Sequence, residues 1–107
     1  MDIQVTPVNF NASQDLINHM AEVFKPLEKF HDGIISVDVY LESINDEKSD
    51  KLVKIKILIP GHEIFMQHNE GDFVSASQVV YDKVKRQLKD RKEQDKDNHQ
   101  TRPDKVY

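Results

Sequence analysis

The amino-acid sequence predicts a single α+β domain in the order β-α-β-β-β-α, a four-stranded sheet with two helices packed on one face. Three observations predict it. Four short segments place apolar residues at every second position, the period of a strand with one buried face. Two longer segments place them three and four residues apart, the period of a helix with one buried stripe. The chain has 107 residues, enough for one hydrophobic core and too few for two.

Taken in order, Ile3 and Val5 alternate with Asp2, Gln4 and Thr6, a short strand closed by Pro7. Ser13 then offers a helix cap, and Asp15 sits in the first turn, where the positive helix end favours a carboxylate. Leu16, Met20, Val23, Phe24, Leu27 and Phe30 make the apolar stripe. Pro26 falls inside that stripe and, lacking a backbone N–H, should kink the helix or end its regular part. Asp32-Gly33 turns the chain into a second strand, with Ile35, Val37, Val39 and Leu41 facing one way and Ser36, Asp38, Tyr40 and Glu42 the other. After the polar segment 43–51, Val53, Ile55, Ile57 and Ile59 alternate with Leu52, Lys54, Lys56 and Leu58. Pro60-Gly61 turns into a last strand, His62 to His68, completing an antiparallel meander. Gly71 ends it, and Asp72 can cap a helix from about Phe73 to Lys92, whose stripe is Phe73, Ser77, Val80, Val84 and Leu88 with Tyr81 alongside. The strand-helix-strand crossover predicts that the first two strands are parallel. These elements form a domain over residues 1–92. Residues 93–107 carry almost nothing apolar before Val106 and are expected to be a flexible charged tail.

Composition narrows the function. Apolar runs are only a few residues long, so no membrane-spanning helix is expected, and the chain opens without a basic-then-apolar leader. Without cysteine there is no disulfide, thiolate metal site or cysteine nucleophile, and a reducing cytoplasm is the simplest compartment. No serine stands in a nucleophile elbow, the three glycines lie at turns rather than in a phosphate loop, and no carboxylate pair is singled out. His62 and His68 would lie ~20 Å apart on one strand, too far to share a metal. No catalytic residue, cofactor or metal site is therefore expected.

A net charge of −4 at first argues against a nucleic-acid partner. The distribution reverses that argument. The last helix, 73–92, holds six positive and two negative residues, a local +4, which leaves −8 for the rest. Lys85, Lys89 and Lys92 are spaced i, i+4, i+7 on one line, roughly a quarter turn from the apolar stripe. Such a row can follow a phosphate backbone, with Arg86 adding a bidentate contact. On spacing alone it also fits a solvated face with Asp82–Arg86 and Arg86–Asp90 pairs, which is the commoner case. Lys54 and Lys56 project from the outer side of their strand, and Tyr40 could add a stacking surface beside them.

The ordered motifs carry a resemblance. Glu70-Gly71-Asp72 followed by Tyr81-Asp82-Lys83-Val84-Lys85-Arg86-Gln87-Leu88-Lys89 resembles the last helix of the ribosome hibernation promoting factor family, also called ribosome-associated inhibitor A or sigma-54 modulation protein. The family motif there reads approximately Asp-Lys-Leu-x-Arg-Gln-Leu-x-Lys. Ser13 to Phe30 resembles its first helix, Asp32-Gly33-Ile34-Ile35-Ser36-Val37 its second-strand entry, and Ile59-Pro60-Gly61-His62 its hairpin. The chain departs from the family at Pro26, where relatives often carry a charge, at Ser77-Gln78, where Ile-Asp is common, and at Val74, where Tyr is common.

The resemblance implies a fold similar to a double-stranded RNA-binding domain with an added strand. It implies a non-enzymatic partner of the small ribosomal subunit and its rRNA, seated in the messenger and transfer RNA channel and silencing ribosomes under stress or in stationary phase. It maps RNA contacts to Lys25, Lys29, Lys83, Lys85, Arg86, Lys89, Arg91 and Lys92. Long members carry a further ribosome-pairing domain. This chain reads as a short form, which would need a separate dimerising factor to pair ribosomes and would be a monomer away from them. Two other readings stay open: a general double-stranded RNA-binding module, and a protein–protein regulatory module resting on the acidic remainder and tail.

Overall fold

A computed structural model describes the backbone of residues 2–101 and the side chains of residues 2–91. The elements are β1 (Asp2–Pro7), α1 (Gln14–Phe24), a 3₁₀ helix (Lys25–Phe30), β2 (Ser36–Ser43), β3 (Lys51–Ile59), β4 (His62–Glu70) and α2 (Phe73–Thr101). One sheet runs in the order β1-β2-β3-β4. The β1–β2 pair is parallel and the other two pairs are antiparallel. This is the expected α+β arrangement.

The register sorts the side chains into two faces. On the inner face Ile3, Val37, Ile57 and Ile64 form one cross-strand row, and Val5, Val39, Ile55 and Met66 form the next. Met20, Phe24 and Leu27 from the first helical segment and Phe73, Ala76, Val80, Val84 and Leu88 from α2 close over these rows, and all of these helical residues are buried. Each of these side chains except Ala76 contributes roughly 1.5–3 kcal/mol when removed from water. Ser77 shares the core stripe and is fully buried, and its Oγ donates to the Val74 carbonyl at 2.8 Å. The hydroxyl is thereby satisfied within its own helix.

Local chemistry sets the ends. The Ser13 Oγ accepts the Leu16 N–H at 3.1 Å, capping α1. Asp72 caps α2, accepting the Ser75 N–H at 2.8 Å and the Ser75 hydroxyl at 3.0 Å. These hydrogen bonds, that from the backbone first, hold the Asp72 carboxyl below the usual carboxylate range. Pro26 ends the α-helical part, and the chain continues as the 3₁₀ helix. The two-residue turn Pro60-Gly61 joins β3 to β4, with Gly61 at φ 72°, a left-handed backbone that glycine adopts without strain. Asn9 pins the chain after β1, donating to the Ser43 carbonyl at 2.9 Å and accepting its N–H at 3.0 Å.

Two expectations need correction. Ile35 does not join the inner row: β2 starts at Ser36, and the Ile35 side chain is 53% exposed. Its N–H still donates to the Leu58 carbonyl at 2.8 Å, so the backbone stays attached while the side chain is left uncovered. The end of α2 is also later than Lys92, at Thr101, because neither Gly nor Pro interrupts the chain from Phe73 to that point. Of the charged tail expected over 93–107, residues 102–107 lie outside the described residues.

Candidate nucleic-acid interface

The sequence pattern of α2 places its basic residues on different flanks. Val80, Val84 and Leu88 fix the buried side. At ~100° per residue, Lys85 and Lys89 fall on one flank, and Lys83 falls nearly opposite Lys85. Lys85, Arg86 and Lys89, with Asp82, line an open recess of about 390 Å³. Neither Asp82–Arg86 nor Arg86–Asp90 closes as an ion pair among the described residues. The pattern of a self-neutralised helix face is therefore absent here, and three cations surround a space large enough for a phosphate group.

The recess is buttressed by the 3₁₀ helix. Within such a helix, side chains three apart eclipse one another, so Leu27 and Phe30 stand in line. Leu27 is buried, and Phe30 emerges half-buried at the margin of the core. The Lys85 and Lys89 ammonium nitrogens lie 5.3 and 5.5 Å from the centre of its ring. Both distances are within cation–π range, and a ring holds an ammonium without cancelling its charge. Lys25 and Lys29 are exposed on the same 3₁₀ helix, and Lys29 directly precedes Phe30. Pro26 thus ends the regular α-helix without removing Lys25 and Lys29 from the helical segment that carries Phe30.

Other candidate residues lie elsewhere. Lys83 is exposed on the far flank of α2. Arg91 follows the buried stripe and lines a different recess, of about 250 Å³, with His62, Ile64, Gln87 and Asp90. The side chain of Lys92 lies outside the described residues.

The open face of the sheet brings Tyr40, Lys54 and Lys56 together. Tyr40 stands opposite Lys54 in the register, and Lys56 stands between Asp38 and Phe65. The Lys54 Nζ lies 3.1 Å from a Glu42 carboxylate oxygen. Four carboxylates, of Asp2, Asp38, Glu42 and Glu63, share this face with the two lysines, so it is net acidic. Phe65 and Leu58 are exposed there. The sheet lysines thus differ from the α2 row in electrostatic setting, although composition alone makes them look alike.

Sequence reasoning missed the seat that Phe30 provides, since its spacing marked it only as a core residue. It placed Asp82 beside Arg86 as an ion-pair partner rather than at the lip of a recess, and it missed the stack of Phe10 on Phe73. Tyr81 tilts against Phe24 at 6.5 Å, and burial, then the nearby Asp82 charge, pushes its hydroxyl above the usual tyrosine range. The His68 Nε2 lies 2.6 Å from a Glu70 carboxylate oxygen. Among the described residues no group of three or more His, Cys, Asp or Glu is placed to hold a metal ion. No helix among them is long and apolar enough to cross a membrane.

Known proteins resemble this chain in sequence and fold. A Pseudomonas putida protein named ribosome hibernation promoting factor is 28% identical over 93 residues, spanning 87% of this chain and 88% of that protein. A ribosomal subunit interface protein from Coxiella burnetii superposes with a TM-score of 0.69 at 25% identity, covering 86% of this chain and 98% of that one. The crystal structure of the Thermus thermophilus Protein Y N-terminal domain superposes with a TM-score of 0.72 at 19% identity, a likeness of fold, covering 83% of this chain and 97% of that one. The family described as Sigma 54 modulation protein / S30EA ribosomal protein matches residues 3–96. With a match over most of its length, the chain belongs to that family.

Proposed function

We propose that this protein is a ribosome hibernation factor that binds small-subunit rRNA in the messenger and transfer RNA channel. It acts by occupying that channel and keeping idle ribosomes inactive under stress or in stationary phase. The role is one of steric occlusion and phosphate neutralisation, non-enzymatic, cytoplasmic and free of any cofactor. The observation that carries the reading is the recess between Lys85, Arg86 and Lys89, cations with no carboxylate paired to them among the described residues. Lys25 and Lys29, exposed on the 3₁₀ helix that carries Phe30, join this reading through the family resemblance. Lys83, Arg91 and Lys92 belong to this reading as secondary contacts, and Tyr40, Lys54 and Lys56 as an outlying sheet-face set. The similarity to the Pseudomonas putida hibernation factor and the Coxiella burnetii subunit interface protein supports it. The protein would act as a monomer away from the ribosome.

Cosedimentation with small ribosomal subunits across a salt series tests the reading. Binding should fall steeply with salt, since each phosphate neutralised releases counterions. The Lys85→Glu/Lys89→Glu variant should bind far more weakly at low salt. Equal binding by both proteins, or none by the parent at low salt, overturns the reading. Comparable affinity for any RNA duplex would favour the general double-stranded RNA module instead. Capture of one protein partner without rRNA would favour the protein–protein module.

A further inference from the structure

We infer that Phe30 is a positioning residue for RNA binding: its ring seats the Lys85 and Lys89 ammoniums in advance, so that the phosphodiester backbone meets two ordered cations. The inference rests on the phosphate-binding reading of this recess and adds the residue that organises it.

The geometry separates this seat from an ordinary surface contact. Lys85 and Lys89 are one helical turn apart on α2, and one ring serves both, at 5.3 and 5.5 Å. That ring is not itself mobile on a loop. It packs at the margin of the core, in line with the fully buried Leu27 on the 3₁₀ helix. A lysine free in water loses rotamer freedom when it binds a phosphate, and that loss weakens binding. A partner that orders the lysine beforehand reduces the loss.

The choice of partner matters. Lys54 is ordered by the Glu42 carboxylate at 3.1 Å, but that contact places a negative charge beside the positive one. An aromatic ring attracts the ammonium through its quadrupole and carries no net charge. The two seated lysines therefore keep their full attraction for an anion. Placing both at one ring also concentrates positive potential at one end of the recess, against which Asp82 is the one acidic lining residue among the described residues.

The experiment measures affinity of the full chain for purified small ribosomal subunits at fixed salt. Phe30→Leu and Phe30→Met remove the ring while conserving apolar volume, and Phe30→Tyr and Phe30→Trp keep a ring. Loss of the ring should weaken binding about three- to tenfold, the effect of one to two cation–π contacts. The aromatic variants should restore it. In a Lys85→Gln/Lys89→Gln background, Phe30→Leu should add no further loss, since the ring then has no ammonium to seat. Thermal unfolding of each variant confirms the fold. Undiminished binding by Phe30→Leu and Phe30→Met, an equal loss in the aromatic variants, or the same loss in the Gln background overturns the inference. The free protein gives a separate readout. Ring-current shifts should move the Lys85 and Lys89 ε-methylene proton signals upfield, and Phe30→Leu should abolish them. Their absence overturns the seat itself, whereas a parent protein with seated lysines but no affinity for subunits overturns the ribosomal reading and, with it, the role of the seat in RNA binding.

Discussion

The ring of Phe10 stacks on the ring of Phe73, with centroids 5.3 Å apart and planes inclined by 13°. Phe10 lies between β1 and α1, and Phe73 opens α2, so the stack joins the first crossover to the last helix. Phe10→Ala should lower unfolding stability by about 1–3 kcal/mol, less than for a fully buried ring because Phe10 is half-buried. Phe10→Leu should recover most of that by restoring apolar area. Urea unfolding of the three proteins measures both effects.

Gly61 offers a backbone test free of packing. A Cβ added there would meet nothing within 4 Å, but the residue has φ +72°. Gly61→Ala should therefore cost about 1–2 kcal/mol through left-handed strain alone. A crystal structure of the variant should show the β3–β4 turn unchanged or reshaped, and an unchanged turn with unchanged stability would contradict the strain argument.

Acid should act on the Asp72 cap. Its carboxyl titrates below the ordinary value because the charged form accepts the Ser75 N–H and hydroxyl. Folding thus favours the charged form. The stabilisation is fully present above the unfolded-state value near about pH 4 and is lost as pH falls through the lowered native value. Asp72→Asn keeps an acceptor oxygen without a titrating charge, so its stability should fall less steeply than the parent's below roughly pH 4. Chemical unfolding across acid pH compares the slopes.

The two flanks of α2 should differ in binding. Lys89→Glu, at the recess, should weaken small-subunit binding by roughly tenfold or more at low salt and reduce the log–log salt slope by about one unit. Lys83→Glu, on the far flank, should have an effect below about threefold. Salt-dependent binding curves for the two variants check the difference.

Most of the fold is legible in the sequence because its signals are local. Period-two alternation marks Val37, Val39, Leu41, Val53, Ile55, Ile57 and Ile59, and all are buried. Ser13 and Asp72 declare their helix starts by side-chain chemistry. Alternation cannot show where helical cover ends, which is why Ile35 reads as core. Local signals likewise cannot show that Glu42 holds Lys54, since that contact spans neighbouring strands. The division of Lys83, Lys85 and Arg91 among different sides of α2 follows from helical spacing, but a count of charges hides it. The seat at Phe30 needs both the 3₁₀ geometry after Pro26 and the approach of α2, and no spacing rule encodes that meeting.

The sheet's open face is net acidic, while Lys85 and Lys89 stand on the opposite, helical layer. In the field of a polyanion such a body feels a torque as well as a pull. On the proposed function, encounters with rRNA that present the sheet would be turned away or rotated, and those that present the recess would be drawn in. The charge asymmetry acts as a compass needle at distances up to about a Debye length, before any contact forms. Added salt should then slow capture by blinding the compass, even where the contacts finally made are the same.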